Sequence, residues 1–205
     1  MIANKRKKIL NKLRLPEGFV KLGFFALKTI EHHSGLLIIN GFYIDSTVSN
    51  INDFYIHYFS QCLFVPFRTF SFSLGNRIGG SWSVDKIAIL QSKLDSFHKF
   101  DELRSFEDYI NYFKKSSYLG DEVSKHENIA YSLFILHRFD DATDYLSKII
   151  SLAVSSKDNW WEAEKQRAQF LLDCIDNNDY AKGIEQLLSW QNETIKSLKL
   201  GNYLS

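Results

Sequence analysis

The chain is poor in proline, cysteine and methionine, and it has no long apolar segment. Its 205 residues include 2 Pro, 2 Cys and 1 Met. So few prolines exclude Pro-rich linkers. Cys62 and Cys174 are far apart, and neither belongs to a Cys-x-x-Cys or Cys/His pattern, which excludes a disulfide scaffold and a zinc site of ordinary spacing. No uninterrupted apolar run reaches the roughly 18 residues of a spanning helix, so we expect no membrane segment.

Aromatic residues, in contrast, are abundant. They make up 15% of the chain, with 17 Phe and 10 Tyr, while hydrophobic residues reach 45% and charged residues 24%. This composition is typical of a globular protein that buries a core. The basic start "MIANKRKKILNKLRL" is not followed by the apolar region of a secretory signal, so the sequence predicts a cytoplasmic protein with two buried, reduced thiols.

Charge is divided unevenly along the chain. Residues 1–100 carry 13 Lys/Arg and 6 Asp/Glu, whereas residues 101–205 carry 12 and 18. The halves therefore have net charges of +7 and −6, although the whole chain is only +1. Such polarity is compatible with two functional faces or with two units that attract each other.

The N-terminal part of the chain, up to Trp82, predicts a short helix followed by a sheet. A basic helix over residues 3–14 has an apolar stripe of Ile9, Leu10 and Leu13. Four strands are predicted at "FFALKTI", "LLIINGFYI", "FYIHYFSQCLFV" and "RTFSFSLG", the last one most clearly because apolar and polar residues alternate there. Their short polar connections favour an antiparallel sheet.

After Trp82 the hydrophobic period becomes helical. Two helices are predicted at "SVDKIAILQSKLDSF" and "SFEDYINYFKKSS", and four more over residues 121–137, 139–156, 158–177 and 179–199. The predicted fold class is α+β: an N-terminal antiparallel sheet of about four strands, then a C-terminal array of about five to six helices. We divide the chain into residues 1–82, the helix plus sheet, and 83–205, the helical array packed on the sheet, with one continuous domain as the alternative.

The helical half contains a faint internal repeat. When "AYSLFILHRFDDATDYLSKII" is aligned with "LLDCIDNNDYAKGIEQLLSW", Phe139 falls on Tyr180, Ala142 on Gly183 and Leu146 on Leu187. A small residue three positions after an aromatic one, at a helix–turn–helix corner, resembles tetratricopeptide-type helical hairpins. Stacks of such hairpins usually bind other proteins.

No set of residues predicts catalysis, a cofactor or a metal ion. His32 and His33 fall in a predicted turn without further ligands at suitable spacing. His57 lies in an aromatic strand without a nucleophile motif, so we favour a half-buried, hydrogen-bonded histidine, or one on the solvent face, over a general base. The run "SLGNRIGGSW" has the position of a phosphate loop but lacks its spacing and its Lys-Ser/Thr. The predicted partner-binding residues are charged or aromatic: Arg68, Arg77, Asp140, Asp141, Asp144, Trp160 and Trp161.

The segments "LPEGFVKLGFFALKT", "LLIINGFYID", "FYIHYFSQCLFVPF" and "LGNRIGG" resemble a group of uncharacterised bacterial proteins that are similar to immunity proteins of polymorphic toxin and contact-dependent inhibition systems. The resemblance spans about residues 13–80 and does not extend to the helical half. It rests on Gly18, Phe19, Gly23, Phe24, Pro66, Gly75 and Arg77.

The resemblance implies a bacterial immunity protein that neutralises a toxin domain by binding it, without catalysis. The acidic helical half suits a basic toxin surface. The alternatives are an enzyme with a pocket between sheet and helices, which would need His57, Arg68 and Arg77 in one cavity, and a nucleic-acid-linked defence component. The basic N-terminal helix is the reason for considering the nucleic-acid-linked alternative. No aromatic residues interleave with its charges, however, so we do not expect nucleic-acid binding.

Overall fold

The structure, a computed structural model, describes residues 2–47, 52–72, 75–115, 122–155 and 161–204. In these ranges the chain forms one antiparallel five-stranded sheet, followed by helices, which confirms the α+β class. The strands lie in sequence order. Their bounds are β1 Val20–Leu22, β2 Phe25–Glu31, β3 Leu37–Ser46, β4 Phe54–Cys62 and β5 Gly75–Arg77. The helices are α1 Ile2–Lys12, α2 Ile87–Asp95, α3 Phe106–Lys115, α4 Glu122–Ile135, α5 Phe139–Ser155, α6 Glu162–Asp176, α7 Tyr180–Ser197 and α8 Gly201–Leu204.

The chain divides into two compact units that are interleaved along the sequence. Unit 1 comprises Met1–Ile30, Ile39–Gln61 and Ser71–Glu102. Unit 2 comprises Glu31–Ile38, Cys62–Phe70 and Leu103–Ser205. Unit 1 contains 12 Lys/Arg and 7 Asp/Glu, or +5, whereas unit 2 contains 13 and 17, or −4. The charge asymmetry of the sequence is therefore also an asymmetry between the units.

The core of unit 1 lies on one face of the sheet. The stripe of α1 is buried, with Leu10 fully inaccessible, because helical spacing places its three apolar residues on one side. These residues share a cluster with alternate side chains of β3 and β4, such as Phe42 and Ile56, and with Leu90 of α2. Of the cationic residues of α1, Lys7, Lys8 and Lys12 are exposed, whereas Lys5 and Arg6 are half-buried.

The prediction of a fourth strand at "RTFSFSLG" is wrong. Residues 68–72 of the segment "RTFSFSLG" form no strand, and Ser73 and Leu74 lie outside the described residues. The Ser71 N–H donates to the side-chain Oε1 of Gln61 (2.9 Å) rather than to a neighbouring strand. The neighbour of β4 is instead the short β5, in which Arg77 pairs with His57. The predicted turn thus supplies the fifth strand.

Unit 2 contains the helices from α3 to α8. Helix α4 is buried over most of its length, including its polar residues Glu127, Asn128 and Ser132. Each of these polar side chains has a hydrogen-bond partner; Ser132 Oγ, for example, donates to the carbonyl of Asn128 at 2.7 Å. Both cysteines belong to this unit, and both are buried free thiols, as the sequence predicted. No helix of the described chain is both long and apolar enough to cross a bilayer.

Candidate functional site

Two helical hairpins of unit 2 have equivalent turns. The hairpin α4–α5 turns at His137 and the hairpin α6–α7 turns at Asn178, the position that the repeat aligns with it, and both residues have a positive φ (57° and 55°). Each turn closes with a hydrogen bond from the third residue after the helix to the carbonyl five positions earlier, a Schellman cap. These bonds are Arg138 N–H to Leu133 O (2.9 Å) and Asp179 N–H to Cys174 O (2.8 Å). Lys199, two residues after the end of α7, also has a positive φ.

Equivalent residues of the two hairpins also meet each other. The rings of Phe139 and Tyr180 stack with centroids 4.0 Å apart and planes 9° apart. The small residues of the repeat, Ala142 and Gly183, are both buried. A Cβ atom at Gly183 would lie 2.2 Å from the ring of Phe134, so this position accepts no side chain unless that ring moves. The alignment read from the sequence is therefore the register in which the hairpins pack.

The acidic corner of the first hairpin is partly neutralised. Asp140 and Asp144 lie one turn apart on α5 and are exposed. Asp141 is ion-paired with Arg138, whose Nε donates to its carboxylate at 2.9 Å. Arg138 also binds both carboxylate oxygens of Glu107 on α3, at 2.8 and 3.0 Å. These two carboxylates raise the pKa of Arg138 and keep it charged. Two of the three predicted aspartates are thus available to a partner, whereas Asp141 fixes the corner.

The other predicted residues of unit 2 are separate from this corner in sequence. Arg68 is exposed in the irregular segment after β4. Trp161 is half-buried at the residue that precedes α6. Trp160 lies outside the described residues. In the part of the chain that the structure describes, the three aspartates are the predicted partner-binding residues that one element brings together.

A buried ion pair links α4 to α6. The Arg167 guanidinium binds Glu127 Oε1 at 2.9 Å, and the side chains are 15% and 3% exposed. Tyr131 donates its hydroxyl hydrogen to the same oxygen at 2.7 Å, and Arg167 also contacts Glu164 at 3.0 Å. Burial disfavours the charged guanidinium, but the neighbouring carboxylates outweigh it and hold the pKa of Arg167 above its usual value. This network fixes the interface between α4 and α6.

The second face of the sheet in unit 1 is aromatic and half-exposed. Tyr43 stacks on His57 and on Phe72, with centroids 4.8 and 4.3 Å apart. The guanidinium of Arg77 lies 3.8 Å above the ring of Tyr55. Phe72 belongs to the segment that forms no strand. Its ring packs on this face of the sheet, although its backbone does not pair with a strand.

Burial shapes the titration of this aromatic face. It lowers the pKa of His57, and the nearby positive charge of Arg77 lowers it further, while Asp45 opposes both effects. The Nε2 atom of His57 is buried and has no hydrogen-bond partner among the described residues. Burial and Asp45, which accepts the Tyr43 hydroxyl hydrogen at 3.2 Å, raise the pKa of Tyr43 to about 12. His57 is thus a neutral, half-buried ring at pH 7.

The core side of the same sheet carries a cleft of about 600 Å³ near the β5 edge. Its apolar wall is formed by Tyr58, Ile78 and Phe97. Two lysines, Lys93 on α2 and Lys99 just after it, line the opposite side. The remaining lining residues are polar or belong to the turn after β5: Asn76, Arg77, Gly79, Ser96, His98 and Glu102.

Of the three residues required by the enzyme alternative, His57 and Arg77 pair across β4 and β5. Arg77 lines the cleft, but its guanidinium reaches Tyr55, which precedes the cleft residue Tyr58 by three positions and so lies on the other sheet face. His57 also lies on that other face, and Arg68 belongs to unit 2. Across the described ranges, no three His, Cys, Asp or Glu residues are grouped so as to hold a metal ion.

His32 and His33 lie in the turn that connects β2 and β3, as predicted. Their rings are 3.9 Å apart, and His32 Nδ1 is 2.8 Å from the Ser34 hydroxyl. Burial lowers the pKa of His32, and the two nearby histidines, His33 and His137, lower it further. The pair closes a turn within unit 2.

Several residues of these sites carry no distinctive pattern in the sequence. Lys93 and Lys99 are ordinary exposed lysines of a helical segment, and only the fold places them beside the Tyr58–Phe97 wall. Arg138 and Glu107 belong to segments that are distant in sequence, and no pattern indicates that they pair. For the buried pair Glu127 and Arg167, the available signal was confined to Glu127, which lies in a helix that is buried over most of its length.

Comparison of the chain with protein families, curated proteins and solved structures finds no match.

Proposed function

We propose that this chain is a non-catalytic protein-binding protein that acts as a bacterial immunity protein, neutralising a toxin domain by occupying its surface. The observation that carries this proposal is the repeated pair of hairpins in unit 2, with equivalent caps at His137 and Asn178. Repeated helical hairpins present successive helices side by side, and such surfaces usually bind other proteins.

The charge of unit 2 indicates the kind of partner. With 13 basic and 17 acidic residues it is acidic overall, and its first corner exposes Asp140 and Asp144. Complementary charge accelerates association and selects between partners more than it adds affinity. A toxin that acts on nucleic acid has a basic substrate groove, so the proposed partner is a toxin domain with a basic surface.

The rigidity of the corner supports the same role. Arg138 joins the first turn of α5 to α3 through Glu107, so the exposed aspartates are held on a fixed support. A preorganised surface loses less conformational entropy when it binds. Stoichiometric neutralisation requires such a surface and requires no catalytic group.

The test is reconstitution with a purified partner. The tagged full chain is used to capture partners from its native host, and the candidate toxin domain is then expressed alone and together with the chain. We expect growth inhibition by the toxin alone, relief on co-expression, and a 1:1 complex by light scattering. Relief of toxicity without a complex, or a complex that leaves the toxin fully active, would contradict the proposal.

Charge reversal locates the surface. We expect the variant Asp140→Lys/Asp144→Lys to lose at least about tenfold in association rate at low salt, because steering depends on the sign of the charge. The matched control is Glu185→Lys/Glu193→Lys, which changes charge equally at two exposed positions of α7. Equal losses in both variants would show that net charge, and not the corner, determines the rate.

A further inference from the structure

The cleft beside β5 in unit 1 combines an aromatic wall with two lysines. Tyr58 and Phe97 have ring centroids 5.0 Å apart, and Phe97 is itself packed on Phe42 and Phe100. The wall is therefore held from behind by the core. At about 600 Å³ the cleft has the size of a small-molecule site, for which roughly 300–1,000 Å³ is usual.

The cations of the cleft are not neutralised by its own carboxylates. Lys93 and Lys99 form no ion pair within the described residues. The Lys93 Nζ lies over the ring of Trp82, 5.6 Å from its centroid. His98 is paired with Asp101 at 3.1 Å, so it adds little net charge. Glu102 is the one carboxylate among the described residues that line the cleft. Two lysines against one carboxylate favour an anionic ligand.

The turn after β5 adds a backbone donor. Gly79 has φ of 75°, and a Cβ atom there would lie 2.8 Å from the Trp82 ring and 3.5 Å from Lys93 Nζ. Glycine therefore permits the positive φ and the close approach of the chain to the Trp82 ring, with Lys93 Nζ at ordinary contact distance. The Gly79 N–H has no acceptor among the described residues, although the flanking Ile78 N–H and Trp82 N–H both bond to β4. A free amide beside a lysine is a suitable pair of donors for a phosphate oxygen.

We propose that this cleft binds a small phosphomonoester that carries a planar ring, of the class of a nucleoside monophosphate. The phosphate interacts with Lys93, Lys99 and the Gly79 N–H, and the ring lies against Tyr58 and Phe97. Glu102 is placed to accept a hydrogen bond from a hydroxyl or amino group of the ligand. The proposal is independent of toxin neutralisation, because it concerns a small molecule and unit 1.

Titration calorimetry on the full chain tests the proposed site with AMP as the probe. Adenosine, which lacks the phosphate, and inorganic phosphate, which lacks the ring, are the two partial ligands. We expect AMP to bind at least about tenfold more tightly than either partial ligand, since a charged hydrogen bond and a stacked ring each contribute that much. Equal affinity for adenosine would overturn the phosphate assignment. Equal affinity for inorganic phosphate would overturn the role of the aromatic wall, and no binding of AMP at millimolar concentration would overturn the site.

Variants and chemical shifts locate the binding. Lys93→Gln and Lys99→Gln should each weaken AMP binding about tenfold, with Lys86→Gln as the control, because Lys86 is exposed nearby and does not line the cleft. Amide resonances of Gly79 and Phe97 should move in the AMP titration of the unaltered protein. If AMP binding survives both glutamine substitutions, or if the shifts map elsewhere, the cleft is not the site.

Discussion

Replacing Gly183 with alanine tests the packing of the helical repeat. Gly183 lies inside α7, where alanine would normally be the better helix former by about 1 kcal/mol. The equivalent residue of the other hairpin, Ala142, is already alanine. Helix propensity and the repeat therefore both suggest that the substitution stabilises the protein, and the tertiary contacts predict the opposite.

The expected size follows from the contact with Phe134. The new Cβ would lie 2.2 Å from Cζ and 2.6 Å from Cε1 of a ring that is fully buried. To restore an ordinary contact of 3.4 Å the ring must recede by about 1.2 Å. Overpacking of this kind costs typically about 1–3 kcal/mol, and we take the upper end because the ring is enclosed. After the gain in helix propensity, Gly183→Ala should destabilise the protein by about 2 kcal/mol.

The assay is urea unfolding, with stability obtained from the midpoint at unchanged slope. Gly201→Ala is the control, because nothing lies within 4 Å of a Cβ at that position, and it should be close to neutral. Phe134→Leu makes room, so Gly183→Ala should cost less in that background than in the wild type. A Gly183→Ala protein as stable as the wild type would refute the packing argument.

Three further outcomes are expected. His57→Gln should reduce the pH dependence of the free energy of unfolding. The pKa of His57 is lowered in the folded state, so the stabilisation linked to its neutral form is present above the unfolded pKa of about 6.5 and is lost as pH falls towards the folded pKa. If the variant loses stability with falling pH as steeply as the wild type, this expectation is contradicted. Arg167→Met should lower the free energy of unfolding by about 3–5 kcal/mol, because it leaves the buried carboxylate of Glu127 without its ion-pair partner. The double variant Arg167→Met/Glu127→Leu should recover much of that stability, and calorimetric unfolding of both proteins measures the difference. Burial raises the pKa of the Cys62 thiol to about 12 and also raises that of Cys174, so neither should react with iodoacetamide until the protein unfolds. Mass spectrometry measures the labelling, and labelling of the native protein would contradict the burial of the thiols.

The helical half follows closely from the sequence. The predicted helix over residues 139–156 is observed as Phe139–Ser155, and that over 179–199 as Tyr180–Ser197. These segments are long and amphipathic, so a single buried stripe indicates their helical period. The register of the repeat also followed, because each hairpin has the same order of an aromatic residue, a small residue and leucine.

The failure at "RTFSFSLG" has a definite cause. Alternating residues indicate that one side of a segment packs against the protein, and Phe72 does pack on Tyr43 and Phe59, although it is only half-buried. Strand formation also requires a neighbour with free backbone groups. The edge of β4 is taken by Gly75–Arg77, where a Cβ at Gly75 would lie 2.0 Å from the Tyr58 carbonyl oxygen, so glycine permits that approach.

The sequence by itself determined the α+β class, the buried stripe of α1 and the two free thiols, because each of these depends on residues that are near in sequence or on composition alone. Tertiary structure decided what depends on distant residues: which segment pairs with β4, the clamp of Arg138 on Glu107, the buried pair Glu127–Arg167, and the meeting of Lys93 and Lys99 with the Tyr58–Phe97 wall. The hydrophobic period of a strand or a helix specifies which side of that element is apolar. It does not specify the neighbour that covers that side, and the shape and charge of a binding surface are set by the neighbours.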